Sequence, residues 1–548
     1  MSTPPESPTR SPGAFPPEAV EPVRPLLHLL ATGTPLTVRD LVEGSGLPRR
    51  TVVDTLRAAG LPAGGNGALY ALSETQRSDL HALLLERDRL RENALQRLDD
   101  LPALFSRWHR SVPAARADLD HVQATAETVI DRVRRLIDTH DPARNRYCFL
   151  GDHDLTAPAL AAVLPGARIV VVDIDDELLR FIDGISADST ARAQSPITTA
   201  WADLRIGVPP SLRGGFDVVF TDPPYTDEGI ALFTGRALEC LDPAADPPGA
   251  TTGRVLIAYG HSRLRPDLGR RVQASLLDRG LVIDELVRGF NRYHGAEALG
   301  SRSDLYVCQP TTEALRRTRT PAPVNRLYTH GSASAESVLS PLTESGSGAL
   351  ADWLSGHDRA ALLVTGLDGS PDLRDLAGVP LAGPVRLDTL ITKGCDHAVE
   401  TAVLDLRGWP TDLTGHALIA MRAARFEAIV IVHDRETRPG TGAAKIRSAL
   451  EIVCPTAVLT RISGQLHSIS IPPRHEPSPW DRICDKPHGT LKNVWREALI
   501  ADASGRGSTL TKNQARERID ASGLAQVGGL RLVDLPFDLL HRLRSQTS

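Results

Sequence analysis

The chain has 548 residues, 41% of them hydrophobic, and a formal net charge of -5 at pH 7. This length predicts about three domains with buried cores, and the slightly acidic balance excludes a generally basic surface for duplex nucleic acid. There is no run of about eighteen apolar residues and no apolar signal-peptide core near the start, so we expect a cytoplasmic protein without a membrane partner. The six cysteines form no Cys-x-x-Cys pair, and we predict neither a disulfide framework nor a metal site.

The N-terminal part is predicted to contain a small helical domain. Residues 1–20 form a Pro-rich tail that cannot bury a core, so we expect it to be disordered. Residues 37–56 have the pattern helix, Gly turn, helix, which predicts a winged helix-turn-helix domain over 21–75. Such a domain either contacts phosphates or packs on its neighbour and pairs two chains. The net charge favours the second alternative, and nucleic acid is not an expected partner.

Helical segments follow this domain. Residues 76–117 are predicted as connecting helices, because charged residues and leucines alternate there at helical spacing. This part is expected to support a homodimer. A further helix is predicted over 118–138, with Gln123 and Thr125 at its start. Both are candidates to line a site, and capping of the helix by Thr125 or Thr128 is at least an equal alternative.

The next segment has the pattern of a nucleotide-binding corner. Residues 146–150 predict a buried strand that leads into Gly151-Asp152-His153-Asp154 and then into a helix over 155–163. A strand, a tight Gly turn and a helix N-terminus form such a corner in α/β sheets. Gly151 and Asp152 are therefore predicted to bind the cofactor or cosubstrate.

The corner is unusually acidic. A methyltransferase corner would have Gly-x-Gly-x-Gly, whereas here Asp152 and Asp154 stand where small residues usually lie. These carboxylates would repel a donor that carries its own carboxylate and attract one that carries only an ammonium group. Asp154 is the predicted catalytic base, because an ammonium nucleophile must lose a proton before it attacks.

Two further acids follow the next predicted strands. Residues 168–172 predict a second strand, which ends in Asp173, and an acid at this position accepts the hydroxyls of a ribose. Residues 201–205 precede the next strand, and Asp203 is predicted to bind the adenine amino group. Taken in this order, the strands predict a class I methyltransferase-like doubly wound α/β sheet over 118–310.

The most specific motif is Asp222-Pro223-Pro224-Tyr225, which follows an apolar run over 216–220. In class I transferases with S-adenosyl donors, this loop holds an amino nitrogen beside the sulfonium of the donor. The carboxylate of Asp222 and the carbonyl of Pro223 would accept the hydrogens of the amine and point its lone pair at the electrophilic carbon. Tyr225 would pack against an apolar or cationic substrate.

Acids downstream extend the negative charge toward the substrate side. Because the ammonium groups of a polyamine have pKa values near ~10, such a substrate matches an acidic pocket at neutral pH. The predicted contributors are Asp227, Glu228, Glu297 and Asp304.

These motifs resemble the branched-chain polyamine synthases. The family pattern is a Gly-Asp-Asp-Asp corner, an Asp-Ile-Asp strand end and Asp-Pro-Pro-Tyr-Thr, and this chain has Gly151-Asp152-His153-Asp154, Asp173-Ile174-Asp175 and Asp222 to Thr226. The segment 290–297, which includes Tyr293 and Glu297, looks like the family's later substrate-side segment. His153 stands where the family has an acid.

The resemblance implies an activity. The donor would be decarboxylated S-adenosylmethionine, the acceptor would be a linear polyamine such as spermidine, and no further cofactor would be needed. The product would be a branched polyamine. The resemblance also implies that Asp154, the last acid of the corner, is catalytic and that Tyr293 lies on the substrate side.

The C-terminal part carries no motif that we recognise. Residues 311–350 are rich in Thr, Ser, Pro and Gly and are predicted as a linker. A C-terminal α/β domain of unknown role is predicted over 351–548, because strand-like runs alternate with helical stretches. The predicted strands are 361–365, 402–406, 427–432 and 467–471.

Three other functions fit parts of this pattern. An N-methyltransferase acting on nucleic acid would use the same Asp222 loop, and a helix-turn-helix lies upstream, but the acidic corner argues against it. Transfer of an aminocarboxypropyl group from intact S-adenosylmethionine is made plausible by His153, which removes one acid. The third alternative is a DNA-binding regulator that senses a polyamine or a nucleoside.

Overall fold

The computed structural model describes most of the chain. In it, no helix of the described residues is long and apolar enough to cross a bilayer, and no disulfide bond joins the six cysteines, all of which lie in the described ranges. The described residues are 20, 23–61, 67–139, 146–187, 195–243, 253–262, 264–295, 301–316, 327–330, 341–357, 361–366, 370–374, 381–395, 399–434, 441–473 and 477–547.

A small N-terminal unit has its own core. Its elements are α1 (Arg24–Ala31), β1 (Leu36–Thr37), α2 (Val38–Ser45), α3 (Arg49–Ala58) and β2 (Leu69–Tyr70). The two short strands pair antiparallel, and the unit buries leucines of all three helices apart from the main core. This is the predicted order of helix, turn and helix, while the winged-helix assignment stays a prediction.

Three helices connect this unit to the large sheet. They are α4 (Glu74–Gln96), α5 (Leu101–Trp108) and α6 (Ala126–Thr139). The helix predicted over 118–138 begins later than predicted, because Thr125 caps it: the Thr125 hydroxyl accepts a hydrogen bond from the backbone N–H of Thr128. The residues before this cap run along the functional cavity instead.

A seven-stranded sheet forms the centre of the protein, with the strand order β5-β4-β3-β6-β7-β9-β8. The strands β3 to β7 are parallel, and β9 is antiparallel between β7 and β8. This is the order and direction of the class I methyltransferase sheet, so the predicted fold is confirmed. Its elements are β3 (Arg146–Leu150), α7 (Thr156–Val163), β4 (Arg168–Asp173), α8 (Asp176–Ala187), β5 (Ile197–Trp201), β6 (Val218–Thr221), α9 (Asp227–Cys240), β7 (Arg254–Tyr259), α10 (Pro266–Asp278), β8 (Leu281–Arg292) and β9 (Arg302–Pro310).

The segment predicted as a linker, 311–350, is only partly a linker. Helix α11 (Thr312–Arg316) follows β9 directly, and α12 (Glu344–Ser355) begins within the predicted range. Between them, Leu327 is 1% exposed and Tyr328 is 6% exposed. Composition did not reveal this burial, because the two apolar residues stand alone among polar neighbours.

A six-stranded sheet follows, with the order β11-β10-β12-β13-β15-β14. All four predicted strands are present. The two missed strands, β11 and β14, are the edges of the sheet and are largely exposed, so they lack the apolar runs that mark buried strands. The elements are β10 (Ala361–Thr365), α13 (Pro371–Arg374), β11 (Leu381–Arg386), α14 (Leu387–Lys393), β12 (Thr401–Asp405), α15 (Leu413–Met421), β13 (Ala428–Val432), α16 (Thr441–Val453), β14 (Val458–Arg461) and β15 (Leu466–Ser470).

Four helices complete the described chain. They pack beside the second sheet, and α20 also contacts α8 of the first sheet. The helices are α17 (Pro479–Cys484), α18 (Leu491–Gly505), α19 (Lys512–Asp520) and α20 (Phe537–Thr547).

Candidate active site

A cavity of about 540 Å³ lies at the carboxyl ends of β3, β4 and β6. The strand order reverses between β3 and β6, and α/β sheets bind their ligands in the crevice at such a switch point. Most of the predicted site residues meet here. Those that line the cavity are Gly151, Asp152, Asp154, Asp173, Asp222, Pro223, Tyr225 and Tyr293.

Asp203 does not line this cavity, although its neighbours Ala202 and Leu204 do. Its carboxylate accepts hydrogen bonds from the guanidinium of Arg205, at 2.6 Å for Oδ2 and Nη2, and both side chains are buried. Any contact of Asp203 with an adenine would therefore have to share the carboxylate with Arg205.

The predicted outer acids lie away from the cavity. Asp227 and Glu228 are exposed in the first turn of α9, and Asp227 lies 3.4 Å from the guanidinium of Arg271. Asp304 accepts hydrogen bonds from Arg288 and from the backbone of Gly289. Glu297 is outside the described residues. The acidity of the cavity therefore comes from residues closer to the strand ends.

Asp173, the last residue of β4, lines the side of the cavity that was predicted to bind a nucleoside. Its carboxylate accepts hydrogen bonds from the backbone N–H groups of Asp175, at 2.9 Å, and Asp152, at 3.4 Å. Burial raises the pKa of Asp173 to about 7. The nearby lining is apolar, with Ile174 and Ala202 at the ends of β4 and β5, and such a surface suits the flat face of a base.

The raised pKa of Asp173 makes stability depend on pH. The carboxyl group of Asp173 holds its proton more tightly in the folded state than in the unfolded chain. The stabilisation of the folded state by this proton is therefore complete below about pH 4 and is lost as the pH rises through the folded-state pKa. The free energy of unfolding of the unliganded protein should therefore fall between about pH 4 and pH 7. Urea denaturation at a series of pH values should show a flatter profile for Asp173→Asn. The exposed Asp131→Asn serves as the control, and an unchanged slope in Asp173→Asn would contradict the burial argument.

Asp152 shapes the corner as a helix cap. Its two oxygens accept hydrogen bonds from the backbone N–H groups of Thr156, at 2.9 Å, and Ala157, at 2.8 Å. Gly151 before it has a φ of 76°, which favours glycine over any residue with a side chain. Burial raises the pKa of Asp152 well above its usual range. The structure therefore gives Asp152 a structural role, and its predicted contact with the donor stays a prediction.

Arg132 of α6 was missed by the sequence analysis and occupies the centre of the site. It is 1% exposed, and its guanidinium donates to Asp154 Oδ2 at 2.6 Å, to Asp222 Oδ2 at 3.1 Å and to Asn291 Oδ1 at 2.8 Å. Burial lowers the pKa of Arg132, but the neighbouring carboxylates outweigh this and raise it overall. One cation thus joins the Gly151 corner to the Asp222 loop.

A signal for Arg132 was present in the sequence. It lies three residues after Val129 and four before Leu136, on the buried face of α6. A charged residue on the apolar face of an amphipathic helix is buried only when it is paired. This position therefore indicated an internal partner, although not which carboxylates it would meet.

Asp222 is held by two donors. The hydroxyl of Tyr293 donates to its Oδ2 at 2.7 Å, and Arg132 donates to the same oxygen. Burial raises the pKa of Asp222 to about 6, against the opposing effect of Arg132. Within the described part of the chain, the recorded hydrogen bonds of this carboxylate all end on Oδ2. Oδ1 is thus available to a ligand.

Asp154 is more fully engaged than predicted. Its Oδ1 accepts from the backbone N–H of Ala124 at 2.6 Å, and its Oδ2 accepts from Arg132. A carboxylate whose two oxygens are held in this way orients its partners.

Aromatic rings form one wall of the cavity. The ring centres of Tyr225 and Tyr259 are 4.8 Å apart, and the guanidinium of Arg132 lies 5.0 Å from the centre of the Phe220 ring. Tyr328, from the segment predicted as a linker, also lines the cavity. Such faces attract cations as well as apolar groups.

His153, which replaces an acid of the resembling family, lies against a second histidine. The ring centres of His153 and His121 are 4.6 Å apart, and Nε2 of His153 is 3.3 Å from the carbonyl oxygen of Pro113. Burial lowers the pKa of His121 to about 3, so His121 is neutral at physiological pH.

The cavity is acidic overall. Among the described residues, its lining includes five aspartates but two arginines, Arg132 and Arg302. A cationic ligand would favour the ionised forms of Asp152, Asp173 and Asp222, whose pKa values burial raises, so this lining suits a cation better than an anion.

The strand order, the Gly151 corner, Asp173 at the end of β4 and the Asp222 loop together define a Rossmann-like α/β domain with its cavity at the strand ends. Residues 100–307 match the family described as "Branched-chain polyamine synthase A C-terminal domain". The resemblance that the motifs predicted is thus confirmed for this part of the chain.

Curated relatives match the same part. A protein of Thermococcus kodakarensis named N(4)-bis(aminopropyl)spermidine synthase is 35% identical over 190 residues, which are 34% of this chain and 51% of the relative. A Thermus thermophilus protein of the same name is 32% identical over 195 residues, 34% of this chain and 52% of the relative. An uncharacterised protein of Methanocaldococcus jannaschii is 32% identical over 194 residues, 35% of this chain and 46% of the relative. The chain spans about half the length of the curated relatives that it matches.

A solved structure is also similar. The branched-chain polyamine synthase of Thermus thermophilus, crystallised with N4-aminopropylspermidine and 5'-methylthioadenosine, is 23% identical. The match covers 52% of this chain and 86% of that chain, with a TM-score of 0.34.

Proposed function

We propose that this protein transfers aminopropyl groups from decarboxylated S-adenosylmethionine to an amine of a polyamine such as spermidine, which gives branched polyamines. The observation that carries the proposal is the acidic, aromatic cavity between the Gly151 corner and the Asp222 loop. It suits two cationic substrates, a sulfonium and a polyammonium chain. The name of the curated relatives, N(4)-bis(aminopropyl)spermidine synthase, supports it.

The donor would bind on the side of Asp173. In this proposal Asp173 accepts the ribose hydroxyls and Gly151 lets the donor approach the backbone. Asp203 would reach the amino group of the adenine only by sharing its carboxylate with Arg205. Asp152 holds the corner in shape through α7. The sulfonium is a good leaving group, so the reaction needs no metal and no cofactor beyond this cosubstrate.

The acceptor would bind between Asp222 and the aromatic wall. Asp222 and the carbonyl of Pro223 orient the attacking nitrogen, and the ring of Tyr225 packs against the sulfonium. Tyr293 fixes Asp222 through its hydroxyl. The exposed acids Asp227 and Glu228 attract the remaining ammonium groups from outside the cavity.

The chemical step is a direct displacement. The nitrogen lone pair forms a bond to the aminopropyl carbon next to sulfur, the carbon–sulfur bond breaks, and its electrons remain on sulfur as 5'-methylthioadenosine. The attacking amine must first lose a proton. Asp222 is the better placed acceptor, because its pKa is about 6 and its Oδ1 is available. Asp154, predicted as the base, acts in this proposal by holding Arg132, and it relays the proton if that ion pair opens.

Removal of the Tyr293 hydroxyl tests the role of Asp222. The hydroxyl stabilises the ionised carboxylate, so Tyr293→Phe should raise the pKa of Asp222. The acidic limb of the pH profile of kcat/KM should move up by roughly one pH unit, since a hydrogen bond to a charged group contributes about 1.5 kcal/mol. Tyr306→Phe, which changes a buried tyrosine outside the cavity lining, is the control. If the acidic limb did not move, the ionisation that the pH profile reports would not be that of Asp222.

The activity is tested by product mass. Purified protein is incubated with spermidine and decarboxylated S-adenosylmethionine, and the products are analysed by mass spectrometry with fragmentation to locate the new bond. We expect a gain of one or two aminopropyl units on the internal nitrogen. Addition at a terminal nitrogen would assign a linear polyamine synthase, and the absence of product would turn attention to a nucleic acid acceptor or a sensing role.

Other sequence predictions remain proposals. We propose the domain division 1–20, 21–75, 76–117, 118–310, 311–350 and 351–548. Because Leu327 and Tyr328 are buried, the segment 311–350 is not a linker over its whole length. A winged-helix role for 21–75, a homodimer and a cytoplasmic location also stay predictions.

A further inference from the structure

The C-terminal sheet repeats the topology of the transferase sheet. Without its edge strand β5, the first sheet has the order β4-β3-β6-β7-β9-β8, and the second has β11-β10-β12-β13-β15-β14. Numbered along the chain, both orders are second, first, third, fourth, sixth and fifth. In both sheets the first four strands are parallel and the sixth is antiparallel to its two neighbours.

The helices repeat as well. A helix precedes the first strand of each sheet, α6 in the first and α12 in the second. In the first sheet, α9 follows β6 and α10 follows β7. In the second sheet, α15 and α16 follow the corresponding strands β12 and β13. The shared order of strands and helices indicates that the second sheet is a degenerate copy of the first.

In the copy, side chains lie at the strand ends that correspond to the cavity of the first sheet. The loop after β12 corresponds to the Asp222 loop, and its Arg407 forms ion pairs with Asp405, at 2.7 Å, and Asp372, at 2.6 Å. Trp409 of the same loop lies against Gly366, which follows β10 as Gly151 follows β3. A Cβ added to Gly366 would be 2.9 Å from Nε1 of Trp409.

One face of the copy shares a buried core with the first sheet, and helix α20 contacts both α16 of the copy and α8 of the first sheet. Leu362, Leu404 and Ile431 belong to one continuous core with the first sheet. The alternating residues Leu363 and Val430 face a separate core. Because side chains alternate between the two faces of a strand, one face of the copy joins the core shared with the first sheet and the other face does not.

Among the described residues, three side chains of the copy make polar or aromatic contacts with loops of the first sheet. The Arg205 guanidinium lies 4.1 Å from the centre of the Trp409 ring. Asp412 accepts from Arg116 at 2.8 Å. His416 stacks on Trp201, with ring centres 3.5 Å apart and planes 8° apart.

Each contact reaches a loop on the nucleoside side of the cavity. Arg205 is the ion-pair partner of Asp203. Arg116 directly precedes the lining residue Ala117. Trp201, the last residue of β5, directly precedes Ala202, which also lines the cavity.

We propose that the C-terminal sheet is a transferase-like copy that no longer holds a nucleoside and instead positions the nucleoside-binding loops of the first sheet. Trp409, Asp412 and His416 are its positioning residues. The assignment of these loops to the donor rests on the proposed function. It follows that loss of these contacts weakens the binding of the donor more than that of the acceptor.

The test measures binding of 5'-methylthioadenosine to the full chain by calorimetry. We expect one site per chain and, for Trp409→Ala, a dissociation constant raised about tenfold, the factor that a lost cation–π contact of ~1.4 kcal/mol gives. Trp409→Phe keeps a ring and should restore most of the affinity. Trp353→Ala, on the other face of the copy, is the matched control and should leave the affinity unchanged.

A steady-state measurement separates positioning from general destabilisation. Trp409→Ala and Asp412→Asn should raise the KM of the donor and leave the KM of spermidine near that of the unsubstituted protein. Equal changes in the KM of the donor and the KM of spermidine would overturn this inference, as would an unchanged affinity for 5'-methylthioadenosine in folded Trp409→Ala. Either result would leave the proposed function standing. Binding of two nucleosides per chain would contradict the claim that the C-terminal sheet no longer holds a nucleoside. No nucleoside binding by the unsubstituted chain would overturn the proposed function and, with it, this inference.

Discussion

Replacement of Arg132 by methionine is expected to destabilise the protein and abolish its activity together. The substitution leaves the buried carboxylates of Asp154 and Asp222 without their shared cation. Breaking a buried ion pair in this way costs about 3–5 kcal/mol. Urea denaturation at pH 7 should show this loss of free energy of unfolding. Activity should fall at least 1000-fold, on the order expected when oriented catalytic groups lose their positions.

The same helix offers a matched control for this experiment. Arg134 lies two residues further on, with its side chain about half exposed and paired with Asp131. Exposed pairs contribute about 0–1 kcal/mol, so Arg134→Met should change little. A stable and active Arg132→Met protein would show that the cation at the centre of the site is dispensable, and the charge balance proposed for the cavity would be wrong.

The second large effect is expected from Asp222→Asn. The amide keeps the shape of the side chain but loses the charge that orients and deprotonates the amine. We expect kcat/KM for spermidine to fall by roughly 100- to 1000-fold. Because burial raises the pKa of Asp222 to about 6, ionisation of this carboxylate lowers the free energy of unfolding, and the loss is complete above about pH 6. Asparagine does not ionise, so the stability at pH 7 should not fall.

Asp227→Asn is the control for this substitution. Asp227 lies five residues later and is exposed at the start of α9. Its substitution should alter the KM of spermidine modestly and leave kcat unchanged. If Asp222→Asn retained near-normal turnover while Asp227→Asn did not, the reacting amine would have to lie outside the cavity.

Much of the site was predictable because its motifs are local. The Gly151 corner, Asp173 and the Asp222 loop each follow a buried strand, and parallel strands bring their carboxyl ends to one edge of a sheet. Chain order alone therefore placed these residues in one cavity. The overall class of the fold followed from the same pattern.

The features that were missed depend on distant contacts. Arg132 meets Asp154 and Asp222 only after α6 packs on the sheet. The burial of Tyr328 depends on contacts between residues 327–330 and the cavity, which are distant in the sequence. The two sheets share no sequence motif, and the loop after β12 has Arg407, paired with Asp405 and Asp372, at the place of the Asp222 loop.

Preference for a donor without a carboxylate is the central claim of this account. The direct measurement is kcat/KM with decarboxylated and with intact S-adenosylmethionine, each with spermidine as acceptor and under equal conditions. The acidic cavity predicts that the decarboxylated donor is preferred by at least about 100-fold, since a carboxylate placed among acids loses several kcal/mol. Equal rates with both donors, or product from the intact donor alone, would contradict it.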